Sequence, residues 1–69
     1  MTLKYLRSLD NDKLLREHKY NREWQLKWFN LYEEYYKSGI KDKSVVEHFE
    51  RYTKIVKKIE RVMNEKGIN

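Results

Sequence analysis

Hydrophobic residues recur at spacings of four and three along the C-terminal third of the chain. We call this row the C-terminal seam, and its members are Val45, Phe49, Tyr52, Val56, Ile59 and Met63. Such spacing keeps apolar side chains on one face of an α-helix, as in coiled coils. Ser44 and Glu47 have the spacing of a capping box, and Gly67 followed by Ile68 is typical of a helix end. The pattern predicts a helix over residues 44–66.

Residues 12–37 contain no helix breaker, and their aromatic side chains also follow the helical period. The central stripe of this predicted helix comprises Tyr20, Trp24, Trp28, Leu31 and Tyr35. Beside it extend further apolar residues, namely Leu14, Leu15, Leu26, Phe29, Tyr32 and Tyr36. Asp10 or Asp12 is the predicted N-cap, and Gly39 with Ile40 is the predicted end.

A short helix over residues 2–9, capped by Thr2 and carrying Leu3, Leu6 and Leu9, is expected to precede the two long ones. The connection between the long helices is only about five residues, which favours antiparallel neighbours in a helical hairpin. The sequence therefore predicts an all-α fold in a single domain, residues 1–69, built as an antiparallel helical hairpin with a short N-terminal helix.

The apolar arc of the helix over residues 12–37 is wider than one partner can bury. It spans roughly two-thirds of the circumference, whereas a packed helix face is only a little over ~100° wide. The short first helix, a second copy of the chain or a different protein must cover the remainder. A 69-residue chain without cysteine also has a small core and no disulfide to stabilise it. We therefore expect a homodimer that packs as a helical bundle.

Composition excludes several classes of protein and suggests a setting. No apolar run is long enough for a signal peptide or a membrane span, so we expect neither, and the absence of cysteine fits a cytoplasmic protein. The chain lacks alanine and proline and is rich in Lys, Asn, Ile and Tyr, a bias typical of AT-rich genomes such as those of low-GC bacteria, their phages and plasmids. The net charge of +5 favours acidic partners.

The stretch around Gly39 resembles the helix-turn-helix pattern of DNA-binding proteins. The residues that carry the resemblance are Gly39, Ile40, Ser44, Val45 and Phe49. The resemblance implies a recognition helix presenting Lys43, Glu47, His48 and Arg51. Tyr35 and Glu34 depart from the pattern, because a small and an apolar residue are usual there. The alternative is an ordinary hairpin turn.

Basic residues line the predicted C-terminal helix on the side away from the C-terminal seam. We call this row the basic ridge, and its members are Arg51, Lys54, Lys57, Lys58 and Arg61. Such a row could neutralise the phosphates of a nucleic acid. The alternative is a solvated face on which Glu47, Glu50 and Glu65, each four residues from a ridge cation, form ion pairs.

No residues in the sequence nominate a catalytic, metal or cofactor site. His18 and His48 lie on different predicted helices without Glu-x-x-His or His-x-x-x-His spacing, and the serines occupy predicted turns and caps. We therefore expect a non-enzyme with no small-molecule substrate, no cofactor and no membrane partner. Phe29, Tyr32 and Tyr36 are the candidates for contact with another protein. The favoured function is a small interaction module, a regulator or inhibitor, and the alternative is nucleic-acid binding through the basic ridge.

Overall fold

The computed structural model describes residues 1–68 and contains three helices. They are α1 (Leu3–Ser8), α2 (Asn11–Lys37) and α3 (Lys43–Glu65), and no strand is present within these residues. The molecule is elongated, with dimensions of 42 × 18 × 15 Å. The all-α prediction is confirmed, and each predicted helix lies within one residue of the observed bounds at both ends.

Oxygen atoms of three side chains cap the helix N-termini. Thr2 Oγ1 accepts from the backbone N–H of Tyr5 and Asp10 Oδ1 from that of Lys13, as the sequence predicted. The predicted capping box of Ser44 and Glu47 is wrong, because α3 begins one residue earlier with Asp42 as its N-cap. The Asp42 carboxylate accepts from both the backbone N–H and the hydroxyl of Ser44, at 2.9 and 2.7 Å. The first N–H groups of a helix have no partner within the helix, and here the Asp42 carboxylate supplies one. Ser44 therefore lies inside the helix and is not its N-cap.

Two glycines end the long helices in the left-handed conformation. Gly39 has φ +71° and Gly67 has φ +72°. Beyond each glycine, the N–H of the next residue bonds the carbonyl five positions back, from Ile40 to Tyr35 and from Ile68 to Met63, both at 2.8 Å. These are the bonds of the Schellman motif, and they confirm both predicted helix ends.

The two long helices pack side by side along most of their length. Trp28 stacks on His48 with ring centroids 4.3 Å apart, and Trp24 stacks on Tyr52 at 6.2 Å. Towards the other end, His18 reaches Glu60. Residue numbers along these contacts decrease in α2 while they increase in α3. The two helices are therefore antiparallel and form a helical hairpin. Helix-turn-helix motifs instead cross their helices at roughly 90–120°, so the turn at Gly39 is an ordinary hairpin turn.

The buried aliphatic core lies at the open end of the hairpin, where α1 folds against α3. It consists of Leu6, Leu14, Ile59, Val62 and Met63, with Leu3, Leu9, Ile55 and Ile68 packed against it. The C-terminal seam is confirmed as the inner face of α3. Its members Val45, Val56, Ile59 and Met63 are buried, whereas Phe49 and Tyr52 are half-buried.

The central stripe predicted for α2 is largely confirmed, because Trp24 and Trp28 stack on rings of α3 and Leu31 and Tyr35 are half-buried. The inward face is nevertheless shifted around the helix from the predicted centre. Tyr20, a predicted member of the central stripe, is 58% exposed, whereas Leu14, predicted to lie beside the stripe, is fully buried.

Two polar residues that the prediction omitted, Asn21 and Gln25, are buried instead. Gln25 donates to Thr53 Oγ1 at 3.0 Å, and Asn21 donates to the carbonyl of Glu17 at 2.8 Å. Buried polar groups with such partners carry little penalty, so hydrophobicity alone did not decide the rotation of the helix.

Candidate functional site

A groove at the turn end of the hairpin brings together the main exposed apolar side chains of that region. We call it the aromatic groove. It encloses about 480 Å³ and is lined by Tyr32, Tyr35 and Tyr36 of α2, by residues 40–43 of the turn and by Val45, Val46 and Glu47 of α3. Tyr36 is 76% exposed and Ile40 is 52% exposed. The groove thus presents aromatic rings and branched aliphatic side chains to solvent.

Local structure explains why these side chains converge. The Schellman turn reverses the chain at Gly39 and projects Ile40 beside the last turn of α2. The N-cap at Asp42 starts α3 at once, so Val45 and Val46 face the tyrosines across the turn. The hydrogen bonds from Ser44 to the Asp42 carboxylate lower the pKa of that carboxyl group, which keeps the cap ionised.

The structure separates the three residues predicted to contact a partner. Tyr32 and Tyr36 line the aromatic groove and stack on each other, with ring centroids 6.4 Å apart. Phe29 lies outside the groove and meets the ring of Phe49 edge-on at 5.4 Å. Phe29 remains exposed on its outer side, so it belongs to a neighbouring surface along α2.

The sequence prediction missed Ile40 and Val46 as members of the groove. Ile40 was assigned only to the helix stop, and Val46 lies next to the C-terminal seam but outside it. The sequence contains a hint of this, because Ile40 and Val46 are aliphatic residues outside the predicted core. Only the reversal of the chain shows that they meet the tyrosines.

The basic ridge is exposed along α3, as predicted. Of the three glutamate pairs expected to neutralise it, only Glu65 with Arg61 is present, at 3.6 Å. Across residues 1–68, Arg51, Lys54 and Lys57 have no ion-pair partner within 4 Å. The ridge is therefore less neutralised than the i,i+4 spacing suggested.

The two histidines lie at opposite ends of the hairpin in unrelated surroundings. His18 Nε2 lies 3.4 Å from Glu60 Oε2, and His48 stacks on Trp28. In the described part of the chain, no three side chains of His, Asp or Glu come together as a metal site would require. Likewise, no helix within residues 1–68 is both long and apolar enough to cross a membrane.

A second cavity, also about 480 Å³, lies at the open end beside the aliphatic core. Its lining is more polar and includes His18, Glu60 and Asn64 along with Met63 and Ile68. Apolar pockets with few polar groups are the commoner binding sites. The aromatic groove is therefore the stronger candidate for a binding site.

Comparison of the chain with protein-family models, with curated proteins and with solved structures finds no significant match to any of them.

Proposed function

We propose that this protein is a small non-enzymatic interaction module, a regulator or inhibitor that binds a protein partner through the aromatic groove. The observation that carries the proposal is the exposure of Tyr36 and Ile40 on a concave apolar surface. Tyrosine and other large side chains in concave sites are common determinants of binding energy between proteins. We place this activity in the cytoplasm, on the basis of composition.

The chemistry of the groove indicates the kind of segment that it binds. Its tyrosines, Ile40 and the valines suit an aliphatic or aromatic side chain, and the lining also includes the cations Lys41 and Lys43. Two anions, Asp42 and Glu47, also line the groove and balance these two cations. The partner is therefore a segment that places an apolar residue in the groove, and the chain's net charge of +5 favours a partner that is acidic overall.

A matched pair of tyrosine variants tests this proposal. Immobilised wild-type protein captures its partner from a lysate, the captured protein is identified and purified, and its affinity is measured by calorimetry. Tyr36→Ser in the groove should weaken binding by at least about tenfold, as expected for a central contact. The control is Tyr20→Ser, because Tyr20 is an exposed tyrosine of α2 outside the groove. Equal affinity of both variants for the partner contradicts the proposal.

A second candidate function is nucleic-acid binding through the basic ridge. The specific observation in its favour is the absence, within the described residues, of ion pairs to Arg51, Lys54 and Lys57. Exposed and unneutralised cations along one helix side can follow a row of phosphates. The groove remains the favoured site, because a basic face of this kind is also common on proteins that bind no nucleic acid.

Salt dependence tests the second candidate. If about four ridge cations contact phosphates, raising salt from about 50 to 200 mM should lower the affinity about a hundredfold. Lys54→Glu with Lys58→Glu should then abolish binding while helix content is unchanged, because both side chains are exposed. Binding of a labelled oligonucleotide that is insensitive to salt and to these substitutions contradicts nucleic-acid binding through the ridge.

We also propose that the chain self-associates as a dimeric helical bundle. Even with α1 in place, α2 keeps Leu15, Leu26 and Phe29 between 38% and 44% exposed. Burial of this surface against a second copy would add apolar contact to a small core. Sedimentation equilibrium at micromolar concentration tests the proposal, and a mass of 8.7 kDa at every concentration contradicts it.

A further inference from the structure

A row of exposed residues runs along α2 with a seven-residue repeat. We call it the α2 stripe. It consists of two series of residues, each with a spacing of seven. The first series is Leu15, Arg22, Phe29 and Tyr36. The second series begins four residues after Leu15 and is Lys19, Leu26 and Glu33. This is the a and d spacing of a coiled-coil contact, and all seven residues are exposed.

Neither α1 nor α3 covers the α2 stripe. α1 lies beside another part of α2, where Tyr5 and Leu9 border Lys13, Arg16 and Glu17. α3 meets the stripe at its margin, through the edge-on contact of Phe49 with Phe29 and across the aromatic groove that Tyr36 lines. The hairpin therefore leaves a helical face of coiled-coil type free for another helix.

The order of charges along the stripe is complementary to itself. Consider two antiparallel copies of α2 related by a two-fold axis midway between residues 27 and 28. Each residue of one copy then lies opposite the residue of the other copy that is equally distant from the axis in the sequence. Leu26 then faces Phe29 of the other copy. Arg22 donates through Nη1 to Gln25 Oε1 of its own helix, and its remaining N–H groups face Glu33 of the other copy. Further out, Lys19 faces Tyr36, whose ring can accept the aliphatic stem and charge of the lysine.

Other arrangements of two copies lose this match. In a parallel pair in register, Arg22 would face Arg22 and Glu33 would face Glu33, which is repulsive. In an antiparallel pair moved by one heptad, Phe29 would face a charged residue, Lys19 or Glu33. Only the arrangement with its axis between residues 27 and 28 pairs apolar with apolar and cation with anion.

We propose that the α2 stripe is the dimer interface and that it pairs two copies antiparallel about an axis between residues 27 and 28. This inference rests on the proposed self-association and adds its surface, orientation and register. The partner is a second copy of this chain. In the dimer, α1 and the basic ridge remain outside the interface, whereas Tyr36 belongs both to the α2 stripe and to the aromatic groove. Dimerisation and binding of the protein partner therefore compete for this side chain.

Charge reversal tests the register. Arg22→Glu places a second carboxylate opposite Glu33 in both symmetric contacts, so the dimer Kd should rise about tenfold. Glu33→Arg should do the same, and the double variant should return the Kd to within about threefold of wild type, because the pairs are restored with reversed sign. The control is Glu23→Arg, an equal change of charge on α2 outside the stripe. Failure of the double variant to recover dimerisation overturns the register.

Cross-linking tests the orientation independently, since the chain has no cysteine of its own. In the proposed dimer the two copies of position 26 are offset by only about 4.5 Å along the helix, whereas the two copies of position 15 are about 38 Å apart. A short bismaleimide should therefore join Leu26→Cys dimers and leave Leu15→Cys uncoupled. Efficient coupling of both variants indicates a parallel pair and overturns the inference. A wild-type protein that stays monomeric overturns self-association itself.

Discussion

At the open end of the hairpin α1 closes an aliphatic core, whereas at the turn end no other element of the described chain covers the tyrosines. The open end holds Leu6, Leu14, Ile59 and Val62, each fully buried. The turn end has Val45 as its buried residue, and Tyr36 and Ile40 are exposed around it. Both ends belong to the same pair of helices.

The difference shows what a third element does for a pair of helices. Two helices alone bury only the stripe between them, and the wider apolar arc of α2 stays exposed unless something covers it. α1 covers part of this arc at the open end of the hairpin. Arg7 of α1 donates two hydrogen bonds of 2.9 Å to the carboxylate of Glu65 in α3. The open end thus contains the fully buried core, and the turn end leaves Tyr36 and Ile40 exposed.

The largest effect is expected from a charge placed between the two ends. Val56 is buried in the middle of α3, and Val56→Asp puts a carboxylate there without a partner, which should unfold the protein. Far-ultraviolet circular dichroism would show the loss of helix. Lys54→Asp, on the exposed side of the same helix, is the control and should remain folded. If the Val56→Asp protein stayed folded, burial of Val56 would contribute little to the stability of the hairpin.

Matched truncations at the two ends measure the difference between them directly. Ile59→Ala removes a fully buried side chain from the open-end core and should lower the free energy of unfolding by about 2–5 kcal/mol. Tyr36→Ala at the turn end should change it by no more than about 0.5 kcal/mol. Urea unfolding curves of both variants provide the numbers. Similar losses at the two positions would abolish the contrast in stability between the two ends.

The buried polar contact between the ends should have a smaller effect. Gln25→Leu removes the hydrogen bond to Thr53 and the one that Gln25 Oε1 accepts from Arg22 at 2.6 Å. The threonine hydroxyl loses its partner, at a cost of about 1 kcal/mol. Adding Thr53→Val should recover the part of the loss that comes from the threonine hydroxyl, because both groups of that buried hydrogen bond are then replaced. A double-mutant cycle by urea unfolding measures the coupling. Additive losses would show that this pair does not help to hold α2 in its observed orientation.

The smallest effect is expected from the exposed ion pair that holds α1. The Arg7 guanidinium lowers the pKa of the Glu65 carboxyl group, and Glu65 raises the pKa of Arg7. Because the Glu65 pKa is lower in the folded chain, its stabilisation is present above the ordinary carboxyl pKa and is lost as pH falls through the lowered value.

Glu65→Gln should therefore lower the thermal midpoint slightly at pH 7, and the difference from wild type should disappear well below about pH 4. Glu23→Gln, an exposed carboxylate of α2 outside this contact, serves as the control. A difference between wild type and Glu65→Gln that persists in acid would show that the substitution acts through packing of α1 and not through charge.

Part of the candidate site could be predicted from the sequence, because its components are set by local rules. Tyr32 and Tyr36 follow from their helical spacing beside the core stripe, and the left-handed turn follows from Gly39. Ile40 and Val46 could not be added, since their contribution depends on the chain reversing and bringing the start of α3 against α2. The exposure of the basic ridge was predictable, whereas the failure of two of its expected ion pairs was not.

The sequence by itself determined the helices, their ends and the hairpin, because spacing, caps and glycine stops act within a few residues of each other. Only the tertiary structure decided how α2 is rotated about its axis, with Gln25 inward and Tyr20 outward. Periodicity sets the width of an apolar face but not which part of it meets the partner helix. That choice depends on hydrogen bonds and ring contacts with residues far away in the chain, such as Thr53 and Tyr52.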